Sequence, residues 1–249
     1  MRLVSTPEHE RLIAKLESIW ALSGEEKYTV LSLPLTLRDY DSDQDIVTEG
    51  DRPRECCLVL KGLVCGYKLT DEGRRQIVSF FVPGDLPDLQ SLFLHRMDHN
   101  IAAITPVTAA FIPHDALHAV IRTEPGLAAA FWRDTLIDGA IFREWIVSLG
   151  RRDAYTRIAH LICELHVRLR AVGLAEEEGY QMPLTQADLG DALGISTVHV
   201  NRGLQALRRD GLIASKGRFI TVPDWQALRK AGEFEREYLH MHPPEAATA

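Results

Sequence analysis

The stretch Leu184–Ile213, LTQADLGDALGISTVHVNRGLQALRRDGLI, contains two short helical patterns separated by a single Gly-Ile pair. Thr185 is a good N-cap for a first helix, and Gly194 suits the left-handed conformation that ends it. Ser196 then caps a second helix. Two helices joined by a tight glycine turn are typical of a helix-turn-helix, whose second helix enters the major groove of DNA.

The second helix has two distinct faces. Apolar residues one turn apart define an inward face of Val200, Leu204 and Leu207. The opposite face offers groups that read bases, because arginine pairs with guanine and asparagine or glutamine with adenine. The predicted DNA-contacting residues are Ser196, Thr197, Val198, His199, Asn201, Arg202 and Gln205, with Lys216 from the next element. The alternative is an αα-hairpin with a solvated polar face, which we consider weaker because caps, turn and following hairpin occur together.

A β-hairpin is predicted after the second helix. The segment GLIASKGRFITV at 211–222 turns at Lys216-Gly217. A basic hairpin tip can contact phosphates, which positions a protein on DNA without reading sequence. The sequence thus predicts a winged helix-turn-helix over 151–222.

Upstream, 35–120 reads as short antiparallel strands. Turn glycines at Gly50, Gly62, Gly73 and Gly84 are spaced by 12, 11 and 11 residues. Turn glycines at such regular intervals favour an all-β sandwich or roll. We therefore predict an α+β chain with an N-terminal helix and antiparallel β-roll (1–124), a long helix (125–150), a winged helix-turn-helix (151–222) and a helical C-terminal tail (223–249).

The long helix is apolar on two sides. Ile137, Ile141 and Trp145 form one stripe, which can cover the β-roll. A second seam with 4,3 spacing can pair with another copy of itself, so we predict a homodimer. The predicted interface residues are Trp132, Thr135, Phe142, Ile146 and Leu149. A fully buried core helix is the alternative.

The charge distribution, the lengths of the apolar runs and the cysteines bear on the class of protein. The net charge of −7 lies wholly in 1–150, with 15 basic and 22 acidic residues, while 151–249 has 13 of each. A local basic face on the second domain is therefore compatible with DNA binding. No apolar run is long enough to cross a bilayer, so a cytoplasmic location is expected. The four cysteines form no C-x-x-C pair and are expected to be reduced and buried.

These features resemble the CRP/FNR family of bacterial transcription regulators. The resemblance rests on LTQADLGDALGIS followed by Arg202, on the GLI and hairpin after it, and on EGD (49–51) and PGD (83–85) in the roll. It implies a cyclic nucleotide-binding-like β-roll, a dimerisation helix, and dimers that bind double-stranded DNA at two-fold symmetric promoter sites. It also implies contact with RNA polymerase and an effector in the roll.

Departures from the family pattern bear on the effector. Where cyclic AMP-binding members have Gly-Glu and Arg-Ser pairs, this chain has Asp88-Leu89 and His99-Asn100. Without the glutamate and the arginine, ribose and phosphate lose their partners, which argues against cyclic AMP. The predicted effector-pocket positions are Asp88, Leu89, Gln90, His99 and Asn100.

Two further departures concern cofactor and DNA sequence. The iron-sulfur members have an N-terminal cysteine cluster, whereas the first cysteine here is Cys56, so that cluster is excluded. Many members place a cytosine-reading glutamate near the start of the recognition helix. Val198 stands there and offers only apolar contact, for instance to a thymine methyl. We therefore expect an unusual half-site.

The sequence gives weaker support to a metal or haem site, an enzyme or a sensor than to DNA binding. His95, Asp98 and His99 in HRMDH suit a metal or haem site, but histidines in a polar loop are more often solvated, so no cofactor is predicted. An enzyme is not predicted, because no nucleophile with a placed base is found. A small-molecule, metal or haem sensor with weak or lost DNA binding is the alternative to a regulator.

Overall fold

The structure is a computed structural model that describes residues 6–241 of the chain. Its internal contacts separate two units. Of the described residues, the first contains 6–66, 80–141 and 239–241, and the second contains 67–79 and 142–238. Among the described residues, none of the helices is long and apolar enough to span a bilayer.

Seven short strands build the predicted β-roll. They are β1 (Thr36–Tyr40), β2 (Asp45–Val47), β3 (Glu55–Lys61), β4 (Val64–Leu69), β5 (Arg75–Phe81), β6 (Asn100–Ala103) and β7 (Val107–Pro113). One sheet has the order β1-β7-β3, paired antiparallel, and the other has the order β2-β6-β4-β5. Val47, Val59, Phe81, Ile101 and Phe111 are buried in one apolar cluster drawn from both sheets. The α+β class predicted from the sequence is confirmed.

The four turn glycines all have positive φ, as their regular spacing predicts. Gly62, between β3 and β4, shows why: its φ is +90°, and a Cβ there would lie 2.4 Å from the carbonyl oxygen of Pro106. An L-side chain fits neither the backbone conformation nor the space.

Four helices accompany the roll. They are α1 (Pro7–Glu17), α2 (Gly24–Leu31), α3 (Ser91–Leu94) and α4 (His114–Thr123). Leu12, Leu16 and Leu117 pack with Leu58 and Ile112 of the β1-β7-β3 sheet in a second apolar cluster. This cluster lies between the helices and the sheet.

One buried ion pair also holds α1. Lys15 Nζ lies 2.7 Å from Asp85 Oδ1 and 3.2 Å from Asp134 Oδ1. Burial alone would lower the pKa of Lys15, but Asp134 and Asp85 together raise it. The ammonium therefore stays charged among the two carboxylates.

The long helix α5 (Pro125–Arg151) shows the two stripes that the sequence predicts. Ile137, Ile141 and Trp145 are buried. The other stripe is exposed, with Trp132 and Ile146 each 69% exposed and Phe142 39% exposed. Leu136 and Val147 extend this exposed seam, whereas Thr135 and Leu149 are half-buried.

The second unit has the order of a winged helix-turn-helix. Its elements are α6 (Ala154–Ala171), β8 (Gly179–Gln181), α7 (Gln186–Leu193), α8 (Thr197–Arg209), β9 (Ala214–Lys216), β10 (Phe219–Thr221) and α9 (Trp225–Ala231). The sheet order is β8-β10-β9, so the predicted hairpin gains a third strand. The third strand, β8, begins at Gly179 and was not predicted from the sequence.

The C-terminal tail docks on α6 through a buried polar network. Glu164 is fully buried and accepts hydrogen bonds from Trp145 Nε1 at 3.0 Å and from Tyr238 Oη at 2.8 Å. His160 bonds the carbonyl oxygen of Gly232 at 2.9 Å and Tyr238 Oη at 3.1 Å. Burial lowers the pKa of His160, which favours a neutral ring. The last part of the predicted tail, 242–249, lies outside the described residues.

Candidate DNA-binding surface and effector sites

The turn between α7 and α8 is built by the residues that the sequence marks as caps. Thr185 and Asp188 form a capping box, with Asp188 N donating to Thr185 Oγ1 at 3.2 Å and Thr185 N donating to Asp188 Oδ2 at 2.9 Å. Gly194 takes the left-handed conformation, with φ +63°. Ser196 Oγ then accepts from His199 N at 3.4 Å. The predicted helix boundaries and caps are confirmed.

Two glycines let these helices approach each other closely. A Cβ on Gly190 would lie 2.8 Å from the carbonyl oxygen of Ile195 in the turn. A Cβ on Gly203 would lie 2.3 Å from Ile158 Cδ1 of α6. Side chains at these positions would displace α8 from the helices that orient it.

The outward face of α8 is open to solvent. Val200, Leu204 and Leu207 are buried as predicted. All the predicted contact residues of α8, together with Ser196, are exposed: Thr197, Val198, His199, Asn201, Arg202 and Gln205. This face therefore presents one guanidinium, one imidazole, two amides and three short side chains without any covering element in the unit.

Two side chains on this face are already oriented by neighbours. His199 Nδ1 shares a 2.8 Å hydrogen bond with Ser196 Oγ, and Asn201 Nδ2 donates to Gln186 Oε1 at 3.4 Å. Gln186 was not among the predicted site residues. Because Gln186 and Asn201 lie 15 positions apart, the only feature of the sequence that could have identified Gln186 as a site residue is its position at the start of α7.

The β9–β10 hairpin carries the basic wing. Lys216 is exposed beside the turn glycine Gly217, which has φ +61°. Arg208, which the prediction omitted, fastens the wing to α8 because its Nε donates to Ser215 Oγ at 2.7 Å. Arg218 is held instead by the carbonyl oxygen of Pro183 at 2.7 Å.

The segment Tyr67–Ser79, the outer part of the β4–β5 hairpin, reaches α7. Arg75 Nη2 lies 2.7 Å from Asp188 Oδ1, and Arg75 Nε lies 2.7 Å from Asp191 Oδ2. Gln76 Nε2 donates to the carbonyl oxygen of Ala192 at 3.2 Å. Sequence reasoning missed this contact, because it joins residues more than 110 positions apart.

The five predicted effector positions lie in different surroundings. Leu89 is 4% exposed and packs in the apolar cluster between helices and sheet, whereas Asp88 lines a polar cleft. Asn100 is buried and its Oδ1 accepts from Glu49 N at 2.9 Å, and His99 Nδ1 pairs with Asp98 at 2.7 Å. Gln90 is half-buried and donates to the carbonyl oxygen of Pro87 at 3.4 Å.

The histidine and cysteine positions show no metal geometry. Within 6–241, no group of three or more histidine, cysteine or acidic side chains is placed to hold a metal ion. His95 is exposed and ends α3 in the left-handed region. The four cysteines are buried and form no disulfide within 6–241, and burial raises the pKa of the Cys56, Cys57 and Cys163 thiols, so these three are poor nucleophiles.

Two known domains match this chain. Residues 156–231 match the Crp-like helix-turn-helix domain, and residues 37–124 match the cyclic nucleotide-binding domain. These ranges cover the winged unit and the β-roll described above.

Relatives and solved structures agree with both matches. The transcriptional activator protein FnrL of Cereibacter sphaeroides is 27% identical, over 87% of this chain and 88% of its own. The fumarate and nitrate reduction regulatory protein of Escherichia coli is 26% identical, over 80% of this chain and 85% of its own. The structure of FixK2 from Bradyrhizobium japonicum superimposes with a TM-score of 0.74 and 27% identity, covering 80% of this chain and 98% of that one. With its helix-turn-helix and β-roll, the chain is a DNA-binding transcription regulator of the CRP/FNR family.

Proposed function

We propose that the chain acts in the cytoplasm as a homodimer that binds two-fold symmetric promoter sites sequence-specifically through α8. The observation that carries the proposal is the exposed outward face of α8 between Ser196 and Gln205. Arg202 would pair with guanine and Asn201 with adenine, while Val198, 56% exposed, would contact a thymine methyl.

The wing and the helix ends supply contacts to the phosphates. Lys216 is exposed at the wing tip, and His199, which bonds Ser196, is exposed at the N-terminus of α8. Backbone contacts of this kind set the register of a protein on the duplex and make binding salt-dependent.

The exposed seam of α5 supports the dimer. Trp132, Leu136, Phe142, Ile146 and Val147 lie along one helix and are all exposed. An apolar stripe of this length on a helix otherwise packed in the fold is unfavourable in water, and a second copy would cover it isologously. Two-fold symmetry of the protein would then impose two-fold symmetry on the DNA site.

We also propose that an effector binds in the β-roll and that the protein contacts RNA polymerase. Cyclic AMP-binding members have a glutamate and an arginine where this chain has Leu89 and His99. This difference supports an effector other than cyclic AMP. The relatives FnrL and FixK2 belong to the same family, and FnrL is a transcriptional activator.

The test compares Arg202→Ala with Arg170→Ala, which removes an exposed arginine at the end of α6. Fluorescence anisotropy with the preferred duplex should show Arg202→Ala weaker by roughly 1–3 kcal/mol and indifferent to the base at one position per half-site. Arg170→Ala should bind as the native chain does. Unchanged affinity and base preference in Arg202→Ala would contradict the assignment of α8 as the reading helix.

A further inference from the structure

A cleft of about 330 Å³ opens on the β-roll beside β1 and the β2–β3 connection. Its size lies at the lower end of the range found for small-molecule sites. Val47 and Phe111 provide apolar wall, and the charged groups are three guanidinium groups and three carboxylates, Arg38, Arg52, Arg54, Asp51, Glu55 and Asp88. The Asp51 carboxylate is already bonded within its own turn, because Thr48 N and Thr48 Oγ1 donate to it at 2.9 and 2.8 Å. Of the five predicted effector-pocket positions Asp88 lines this cleft, whereas Leu89, Gln90, His99 and Asn100 do not, so the cleft shares one residue with the pocket expected by resemblance.

The floor of the cleft holds a carboxylate that lacks one hydrogen-bond donor. Asp88 is fully buried, and its Oδ1 accepts from Cys57 N at 2.7 Å. Its Oδ2 is buried too, and no other residue of the described chain donates a hydrogen bond to it. A buried acceptor in this state costs free energy that a ligand donor would recover.

The rim carries two cations that have no internal counter-ion. Arg38 is already neutralised, because its Nη2 donates to both carboxylate oxygens of Glu55 at 2.8 and 3.0 Å. For Arg52 and Arg54, by contrast, no carboxylate within 6–241 forms an ion pair, and both side chains are exposed. Guanidinium groups without an internal counter-ion can bind carboxylate or phosphate.

We infer that the cleft binds a small organic anion whose carboxylate or phosphate contacts Arg52 and Arg54 and whose opposite end donates an N–H or O–H hydrogen bond to Asp88. The charged rim, apolar wall and acceptor floor each select one part of such a molecule. The binding site itself does not depend on the proposed function. Only the expectation that ligand binding changes DNA affinity rests on the proposed effector function.

Isothermal titration calorimetry on the full chain without DNA tests the site, so that the result does not depend on DNA binding. The carboxylate probes are 4-aminobenzoate and benzoate, which lacks the donor. The phosphate probes are 4-aminophenyl phosphate and phenyl phosphate. The variants are Asp88→Asn, the double variant Arg52→Ala/Arg54→Ala, and Arg122→Ala as a control with an exposed arginine on α4 away from the cleft.

In the preferred anion class and at pH 8, above the raised pKa of Asp88, the amino probe should bind the native chain about tenfold more tightly than its partner, the effect of one hydrogen bond to a charged group. The double arginine variant should lose at least about tenfold for both probes of that class. Asp88→Asn, which keeps the acceptor for Cys57 N, should abolish only the advantage of the amino group. Arg122→Ala should match the native chain.

Several results would overturn the inference. One is the lack of saturable binding in either anion class. Another is equal affinity for the amino and non-amino probes. A third is unchanged affinity in the double arginine variant, which replaces two exposed side chains. Anisotropy with DNA is then measured separately. Tight probe binding with unaltered DNA affinity would keep the site and reject its role as an effector site.

Discussion

Replacing Asp88 with asparagine should change how the stability of the protein depends on pH. Burial raises the pKa of this carboxyl from 3.8 to about 7, although the Cys57 amide opposes the shift. A carboxyl whose pKa is higher in the folded state is protonated more readily there than in the unfolded chain. Its contribution to stability is therefore greatest at low pH, begins to fall above pH 3.8 and has fallen fully once pH passes about 7.

The size of the effect follows from the shift. A difference of about 3 pKa units corresponds to about 4 kcal/mol at high pH, at 1.36 kcal/mol per unit. Most of the loss occurs between pH 5 and pH 8, where the native chain should lose about 2–3 kcal/mol more than Asp88→Asn, which has no proton to release.

Urea unfolding of both chains at pH 5 and pH 8 measures this difference directly, since all other titrating groups are shared. Asp88→Asn should gain stability relative to the native chain as pH rises. A relative stability that is the same at both pH values would refute the assignment of a buried carboxyl with a raised pKa.

Three further substitutions test separate parts of the structure. Ile146→Glu places a charge on the exposed α5 seam and should give monomers in sedimentation, whereas Leu174→Glu, at an exposed apolar residue of a loop, should leave the assembly intact. Gly190→Ala forces a Cβ to within 2.8 Å of a turn carbonyl and should weaken DNA binding and lower Tm, corresponding to about 1–3 kcal/mol. Tyr238→Phe removes the 2.8 Å hydrogen bond to the buried Glu164 and should cost about 1–3 kcal/mol in urea unfolding, so an unchanged midpoint would show that this bond does not stabilise the docked tail.

Local chemistry explains which parts of the fold could be predicted from the sequence. Caps and turn glycines act within a few residues, so Thr185, Gly194 and Ser196 marked the helix-turn-helix correctly. The 4,3 spacing on α5 likewise separated the exposed Trp132 and Ile146 from the buried stripe, because helix periodicity is fixed by backbone geometry.

The features that were missed depend on contacts between distant segments. β8 has only three residues, too few for an alternating pattern, and exists because β10 pairs with it. The contact of Arg75 with Asp188 spans 113 residues. Resemblance grouped Asp88 and Leu89 as neighbours in one pocket, but successive residues before a short helix point to different environments, one to the cleft and one to the apolar cluster.

The central claim is that the outward face of α8 reads a two-fold symmetric DNA site. Selection of bound duplexes from a random pool by the purified, effector-free chain at moderate salt, followed by sequencing, tests it most directly. We expect enrichment of an inverted repeat with a guanine at one half-site position, a preference that disappears when Arg202→Ala is used in the same selection. Enrichment without symmetry, or a guanine preference that survives in Arg202→Ala, would contradict the account.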